Sequence, residues 1–400
     1  MLILRQEQFG GIIFNPRTAS ELWVDRALFD AVVATLRGAH LSAAVADAFC
    51  QLGSRADGFR LITAPVIAGR QFDFPVLSAP TLIDVNITLN CNLRCPHCYL
   101  SAGSGATMQL ADYQSLLRQC RQLGVLQIAL GGGEPTLHPN FSQFLAIARA
   151  NDVVPNVTTN GYRLDWRTIY ALARHAGAVA VSIEELGERF AQRRGYAFSE
   201  FLTTVKKLKA ARVRLVFQIT ASARNLPRLP ALTEFVLRYR PYGILFLAYK
   251  PQGRGVHYDQ ALRAAEYSEV QNVFSSIVAT VGKRSKLGFD CCLTPLLTGI
   301  STNPAIQGCS SARTSMAVMP NLDAVPCSFL NLNQPWGTLR TQTLAAIWQD
   351  EHFRNFRETL QAGMQHSPCD ACPSRQTCFG GCPIFDLVSC STQAAVRQPA

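Results

Sequence analysis

The chain has 400 residues, 48% of them hydrophobic and 16% charged, with a formal net charge of +11; that composition supports one large core with smaller units attached and excludes a disordered protein. No apolar run approaches the roughly 20 residues that a bilayer span needs, and Met1 to Phe9 lacks a signal-peptide core, so the expected location is the cytoplasm, with no membrane partner. Fourteen cysteines in that compartment point to metal or redox chemistry rather than to a disulfide scaffold.

In chain order, residues 1–75 read as a small separate unit. Strand-like stretches Leu2 to Arg5, Gly10 to Phe14 and Glu21 to Val24 precede helical runs Ala27 to Leu36 and Leu41 to Leu52, which makes a winged-helix-like arrangement. The unit holds seven Arg and seven Asp or Glu, a poor balance for binding phosphates, so no nucleic-acid partner is expected. Gly69 to Pro80 reads as a linker. From Thr81 onward, buried strands alternate with amphipathic helices: strands at Leu82 to Leu89, Leu126 to Leu130, Val154 to Thr158, Ala178 to Ile183, Leu215 to Thr220 and Gly243 to Ala248, with helices between them. That pattern predicts a parallel sheet with right-handed crossovers, whose C-terminal strand ends carry the active site. The positive charge is local: residues 186–256 hold fourteen Lys and Arg against Glu188, Glu200 and Glu234. Lys206, Lys207 and Lys209 fit a solvated helix face, whereas Arg193, Arg194, Lys250 and Arg254 sit at strand or loop ends where an anion would bind.

The chemistry begins at the first of these strand ends, in Cys91-Asn92-Leu93-Arg94-Cys95-Pro96-His97-Cys98-Tyr99. Three thiolates are one ligand short of a closed four-coordinate site, which suggests a metal centre with an open position; zinc with a distant fourth ligand is the alternative. Gly131-Gly132-Gly133-Glu134-Pro135 follows the second strand, Thr158-Thr159-Asn160-Gly161 ends the third, Ser182 ends the fourth, and Arg194-Gly195 and Pro251-x-Gly253-Arg254-Gly255 come later. A second constellation closes the chain: Cys309, Cys327, then Cys369-x2-Cys372-x5-Cys378-x3-Cys382, then Cys390. Cys50 and Cys120 sit in apolar helical patterns and are expected in the core.

The C-x3-C-x2-C spacing, with Tyr99 directly after it, resembles the signature of the radical S-adenosylmethionine (SAM) superfamily, and the C-terminal spacing resembles its SPASM domain. The resemblance implies an α/β fold: a partial (β/α)6 barrel over 76–285, an N-terminal winged-helix-like domain over 1–75 and a Cys-rich SPASM domain over 286–400. It assigns a SAM-binding [4Fe-4S] cluster to Cys91, Cys95 and Cys98. It implies contacts to SAM by Tyr99, Gly132, Gly133, Glu134, Ser182 and Arg194, although Glu184-Glu185 replaces the usual Asp-Gly. Two auxiliary [4Fe-4S] clusters would complete a set of three, an outer one on Cys369, Cys372, Cys378 and Cys390 and an inner one on Cys309, Cys327 and Cys382. Cys291 or Cys292 is a candidate fourth ligand of the inner cluster.

Residues 1–75, with Phe9-Gly10-Gly11 and Phe14-Asn15, resemble the leader-recognition domains of ribosomal peptide maturation. A radical SAM peptide maturase is therefore expected, forming cross-links or excising backbone. Its partners would be a precursor peptide bound through its leader, an electron donor such as flavodoxin or ferredoxin and an accessory peptide-binding protein. The alternatives are a sulfatase-maturing enzyme, whose usual acidic residue after the second SPASM cysteine is here Ser328, and an iron-sulfur or zinc DNA-binding regulator.

Overall fold

The computed structural model describes residues 1–53, 58–63, 72–258, 260–262, 267–297, 307–330, 336–365, 367 and 369–385. Near the N-terminus, β1 (Leu2–Glu7), β2 (Gly10–Asn15) and β3 (Ser20–Asp25) form an antiparallel meander. A fourth strand that the periodicity did not reveal, β4 (Phe59–Thr63), returns parallel to β1, so the sheet order is β3-β2-β1-β4. Asp25 caps α1 (Arg26–Leu36) by accepting from the Leu28 N–H, and Ser42 caps α2 (Ala43–Leu52) through the Val45 N–H.

Alternation along the strands gives this sheet two buried faces. Leu2, Leu4 and Ile13 pack on Phe29, Val32, Val45 and Phe49 of the helices. Ile3, Ile12 and Phe14 point the other way, onto Leu77, Leu126 and Val154. Leu126 and Val154 stand at the N-terminal ends of barrel strands, so the small sheet is docked on the end of the barrel away from its mouth. Arg5, fully buried, ties the joint by donating to the carbonyls of Pro80 at 3.0 Å and Gly124 at 2.9 Å while paired with Glu7.

The larger sheet takes β5 (Leu82–Thr88), β6 (Gln127–Gly132), β7 (Val154–Thr159), β8 (Val179–Ser182), β9 (Leu215–Ala221) and β10 (Gly243–Ala248) in sequence order, all parallel. The connections carry α3 (Leu110–Leu123), α4 (Phe141–Ala150), α5 (Trp166–His175), α6 (Gly187–Arg194), α7 (Phe198–Ala210) and α8 (Leu229–Leu237). This is the partial barrel expected from the sequence. It is extended at one edge by α9 (Tyr267–Val281) and β11 (Lys286–Phe289), which is parallel to β10. At the other edge β12 (Ser315–Val318) adds parallel to β5 and carries β13 (Ala324–Val325) antiparallel. The C-terminal segment is thus stitched into the barrel sheet.

Around it lie α10 (Thr294–Leu297), α11 (Leu344–Gln349), α12 (Glu351–Gln365) and the one-turn α13 (Arg375–Cys378). Trp348 is buried, donates to the Leu77 carbonyl at 2.9 Å and lies under the Arg357 guanidinium. Arg313 sits over the ring of Phe379 at 3.9 Å and donates to the Cys309 carbonyl, which holds the first and later cysteines of the C-terminal segment together. Cys120 is in the core as expected, but Cys50 is exposed because it lies on the solvent side of α2. Among the described residues no helix is long and apolar enough to cross a membrane.

Candidate active site

Beyond β5 the chain folds back on itself and forms a braced loop. Gly103 donates to the Leu89 carbonyl at 2.9 Å, Cys91 to Gly103 at 3.0 Å and Met108 to Ile87 at 2.9 Å. Cys91, Cys95 and Cys98 then line one cavity of about 160 Å3 at the C-terminal strand ends, together with Gly133, Ser182 and Arg194. Gly132 of β6 and Leu247 of β10 line it too, so the sheet curves far enough to bring strands four places apart to one mouth.

These three thiols, with no fourth on the wall among the described residues, fit a cluster that keeps one iron open. Burial raises Cys91 and Cys95 above the ordinary thiol pKa. The Leu93 N–H at 3.4 Å from Cys91 Sγ and Arg194 Nη1 at 3.7 Å from Cys95 Sγ act in the opposite sense and favour the thiolates that iron needs.

The glycines of the second strand end are required mainly by this loop. A Cβ on Gly132, which has φ +114°, would collide with the Thr88 carbonyl, and one on Gly133 with the Asn90 carbonyl; Gly133 and Glu134 donate to those same oxygens at 2.7 and 2.8 Å. Glu134 is fully buried and does not face the cavity. Its carboxylate accepts from Thr136 N, Thr136 Oγ1, Thr159 Oγ1 and Asn160 N, at 2.6 to 3.2 Å. Both oxygens of Glu134 brace the Thr159-Asn160 turn, and Gly132 and Gly133 line the cavity wall. Asn160 in turn reaches Asn92 at 2.8 Å and Cys91 Sγ at 4.0 Å.

Three of the four expected anion-binding cations already have internal partners. Arg194 Nε donates to Glu184 Oε2 at 2.7 Å and Nη2 to Glu184 Oε1, a fork-to-fork pair. Burial alone would lower the Arg194 pKa, but Glu184 prevails and raises it. Lys250 is paired with Asp290 and lies over Phe329, and Arg254 donates to the carbonyls of Cys95 at 3.1 Å and Ala102 at 2.7 Å. Arg193 has no hydrogen-bond partner among the described residues and stacks on Tyr258. The Gly253-Arg254 segment packs directly on the cysteine loop, because a Cβ on Gly253, with φ +59°, would strike the Tyr99 carbonyl. Burial, then Arg194, Arg193 and Arg254, drives the pKa of His97 well down, which keeps the imidazole neutral.

Tyr99, Gly132, Gly133, Lys250 and Phe329 also line a second, larger chamber of about 450 Å3, so the two spaces share a wall. At its far side stand Cys291, Cys292, Cys309, Cys327 and Cys382. Cys291 contacts Cys309, and Cys292 contacts both Cys291 and Cys382. Sulfur donors therefore exceed the four that one cluster takes, and both members of the Cys291-Cys292 pair lie within reach of the inner set. Cys369, Cys372 and Cys378 lie on the turns leading to Cys382, with Cys372 N donating to the Cys369 carbonyl at 3.2 Å. Cys390 lies outside the described residues. Phe329 was missed by sequence reasoning. It packs on Tyr99 at 4.5 Å, and only its position two residues after Cys327 hinted at it.

Residues 85–221 match the radical SAM superfamily, and residues 309–373 match the iron-sulfur cluster-binding SPASM domain. The PqqA peptide cyclase of Xanthomonas campestris pv. campestris is 27% identical over 342 residues, covering 80% of this chain and 88% of that protein. The PqqA peptide cyclase of Gluconobacter oxydans is 24% identical over 317 residues, covering 76% and 86%. Among solved structures, Streptococcus suis SuiB bound to precursor peptide SuiA superposes with a TM-score of 0.72 at 18% identity over 95% of this chain and 94% of that one. The enzyme anSMEcpe with bound AdoMet and the Cp18Cys peptide gives 0.63 at 18% identity, covering 79% and 93%.

Proposed function

The chain belongs to the radical SAM superfamily and carries a SPASM domain, and from that premise we propose that it modifies a ribosomally made precursor peptide. The observation that carries this reading is the shared wall between the cavity of Cys91, Cys95 and Cys98 and the chamber that ends at the second group of thiols. A peptide side chain in that chamber lies between a site that generates a radical and a site that can accept an electron. When a reduced cluster is bound at the first site, it supplies the electron that cleaves SAM to methionine and a 5'-deoxyadenosyl radical. The residues of the chain orient and enclose. Gly132, Gly133, Ser182 and Tyr99 shape the SAM pocket, Arg194 is fixed there by Glu184, and the Gly253-Arg254 segment closes over the cysteine loop. The inner auxiliary site takes Cys309, Cys327 and Cys382 with Cys291 or Cys292; Cys369, Cys372, Cys378 and Cys390 make the outer one.

Residues 1–75, 76–285 and 286–400 are the leader-binding, barrel and auxiliary-cluster units of this proposal. The leader adds as a strand to the free edge of β3, beside the exposed and stacked rings of Phe9 and Trp23. That unit packs at the far end of the barrel from the mouth, so the peptide between leader and reacting residue must run along the barrel. A span of roughly 20 Å, or six or more extended residues, is the minimum set by the strand length. A flavodoxin- or ferredoxin-like donor supplies electrons, and an accessory peptide-binding protein is compatible with the same edge. Equal numbers of basic and acidic residues in 1–75 weigh against the DNA-regulator alternative.

Incubating the iron-loaded protein anaerobically with SAM, dithionite and a uniformly deuterated candidate precursor peptide, chosen from any small reading frame found beside the gene, tests the proposal. Deuterium in the 5'-deoxyadenosine, with a mass loss in the peptide, is the expected result. Unlabelled 5'-deoxyadenosine with an unchanged peptide overturns it.

A further inference from the structure

Along β5 the inward positions are Leu82, Asp84 and Asn86, while Ile83, Val85 and Ile87 are fully buried under the helices. Asp84 thus projects into the chamber as the one charged residue of the strand. Its register partners on both sides are small, Ala129 on β6 and Ala317 on β12, which leaves open space beside the carboxylate. The chamber wall holds two carboxylates among the described residues, Asp84 and Asp290. Asp290 is fully occupied: it pairs with Lys250 and accepts the N–H groups of Ala248 at 2.9 Å and Cys292 at 3.1 Å. Among the described residues Asp84 has no cationic partner, and its one side-chain hydrogen bond comes from Ser328 Oγ, at a long 3.4 Å. Ser328 also bonds the hydroxyl of Tyr99, next to Cys98, and follows Cys327 in sequence. The carboxylate therefore stands between the SAM cavity and the inner group of thiols, where substrate must lie.

We propose that Asp84 is the proton acceptor of the bond-forming step. The proposal rests on the peptide-modifying reading given above. The adenosyl radical removes one hydrogen atom from a peptide carbon; that carbon then bonds to a second peptide atom X carried as X–H. The X–H proton passes to Asp84, and the remaining electron passes to an oxidised iron-sulfur cluster at the inner thiols, so atoms and charge balance. A half-buried carboxylate with no cationic partner among the described residues suits this role, because desolvation in the chamber wall lifts Asp84 to about 6, near the operating range of a general base. The other titratable groups facing it are Tyr99, Cys327 and Lys250.

The test uses the iron-loaded enzyme, SAM and the deuterated precursor described above, comparing wild type with D84N, D84E and D84N/S328D. D84N is expected to transfer deuterium into 5'-deoxyadenosine at close to the wild-type rate. Its cross-linked or cleaved product should fall at least about 100-fold, the usual scale for losing a general base. D84E and D84N/S328D, which return a carboxylate to the same hydrogen-bonded pair, should recover product. The wild-type rate of product formation should rise with pH through about 6, and D84N should lose that rise. Infrared spectra of the protein without substrate should contain a carboxylic-acid band that titrates in that range and is absent from D84N. Product formation by D84N within a few-fold of wild type, or an unchanged pH profile, overturns the assignment. Loss of deuterium transfer together with product also overturns it, since Asp84 would then bind rather than deprotonate. Absence of deuterium transfer in wild type would instead overturn the peptide-modifying reading.

Discussion

Arg194 and Glu184 form a buried fork-to-fork ion pair whose remaining guanidinium nitrogen lies 3.7 Å from Cys95 Sγ. The pair fixes a cation beside one of the three thiols without leaving a buried charge uncompensated. Glu184→Gln should therefore be costly, by about 3 kcal/mol, because it strands Arg194 in a buried site. Thermal unfolding should show a lower midpoint, and equilibrium binding should show at least tenfold weaker SAM affinity. Arg194→Lys should not rescue SAM affinity, because an ammonium cannot reproduce the planar fork. Unchanged stability and affinity in Glu184→Gln would contradict this role.

Glu134 acts through the turn it braces. Glu134→Gln replaces one of two accepting oxygens with an amide that faces the Asn160 N–H or the Thr hydroxyls, and should cost about 2 to 3 kcal/mol. The iron content at the first site should fall as Asn160 and Asn92 lose their position near Cys91. Iron analysis and thermal unfolding of the variant check this; full iron loading with wild-type stability would count against it.

Asp84 also gives a pH signature in stability. Its native pKa, raised to about 6 from 3.8, means that the folded state holds the proton more tightly than the unfolded chain does. That contribution is fully present below about 4 and is lost as pH rises through about 6, a total of about 3 kcal/mol. Asp84→Asn has no such loss. The midpoint difference between variant and wild type should grow in favour of the variant across that window and then level off. A constant difference from pH 4 to 8 would mean that Asp84 keeps an ordinary pKa.

The motifs were legible because covalent spacing fixes them: Cys91 to Cys98 lie on one short loop, and Cys369 to Cys382 on the short turns around α13. Strands β5 to β10 were legible because buried parallel strands read as apolar runs. What the sequence could not reveal depends on contacts distant along the chain. β12 pairs with β5 across more than two hundred residues, and β4 is a five-residue strand defined only by its pairing with β1. α6, Gly187–Arg194, escaped because its only buried apolar side chain is Phe190. The same limit hid the partners of Arg194, Lys250 and Arg254, which looked like free cations in sequence. It also hid Asp84, the one charged residue of β5, whose meaning depends on Ser328.

The N-terminal unit should capture the leader through β3. Phe9→Ser with Trp23→Ser removes the exposed stacked pair and should weaken precursor binding at least tenfold, with iron content and uncoupled SAM cleavage unchanged. This is a gentler test than deleting residues 1–75, which would expose Leu77, Leu126 and Val154. Unaltered precursor affinity, measured by fluorescence anisotropy of a labelled peptide, would rule out this edge.

The auxiliary thiols predict stoichiometry. Anaerobically reconstituted protein should bind roughly twelve iron atoms, and Cys369→Ala with Cys372→Ala should lower that by about four. Comparing Cys291→Ala with Cys292→Ala decides which one ligates the inner cluster, because only the ligand's loss should alter the electron paramagnetic resonance signal of that cluster. Stoichiometric zinc in place of the auxiliary iron would contradict the assignment.

The most direct measurement is reductive SAM cleavage by the protein in which Cys91, Cys95 and Cys98 are all replaced by Ala. Under anaerobic conditions with dithionite it should form no 5'-deoxyadenosine while retaining about eight of the roughly twelve iron atoms in its auxiliary sites. Production of 5'-deoxyadenosine at the wild-type rate by that variant would contradict the account.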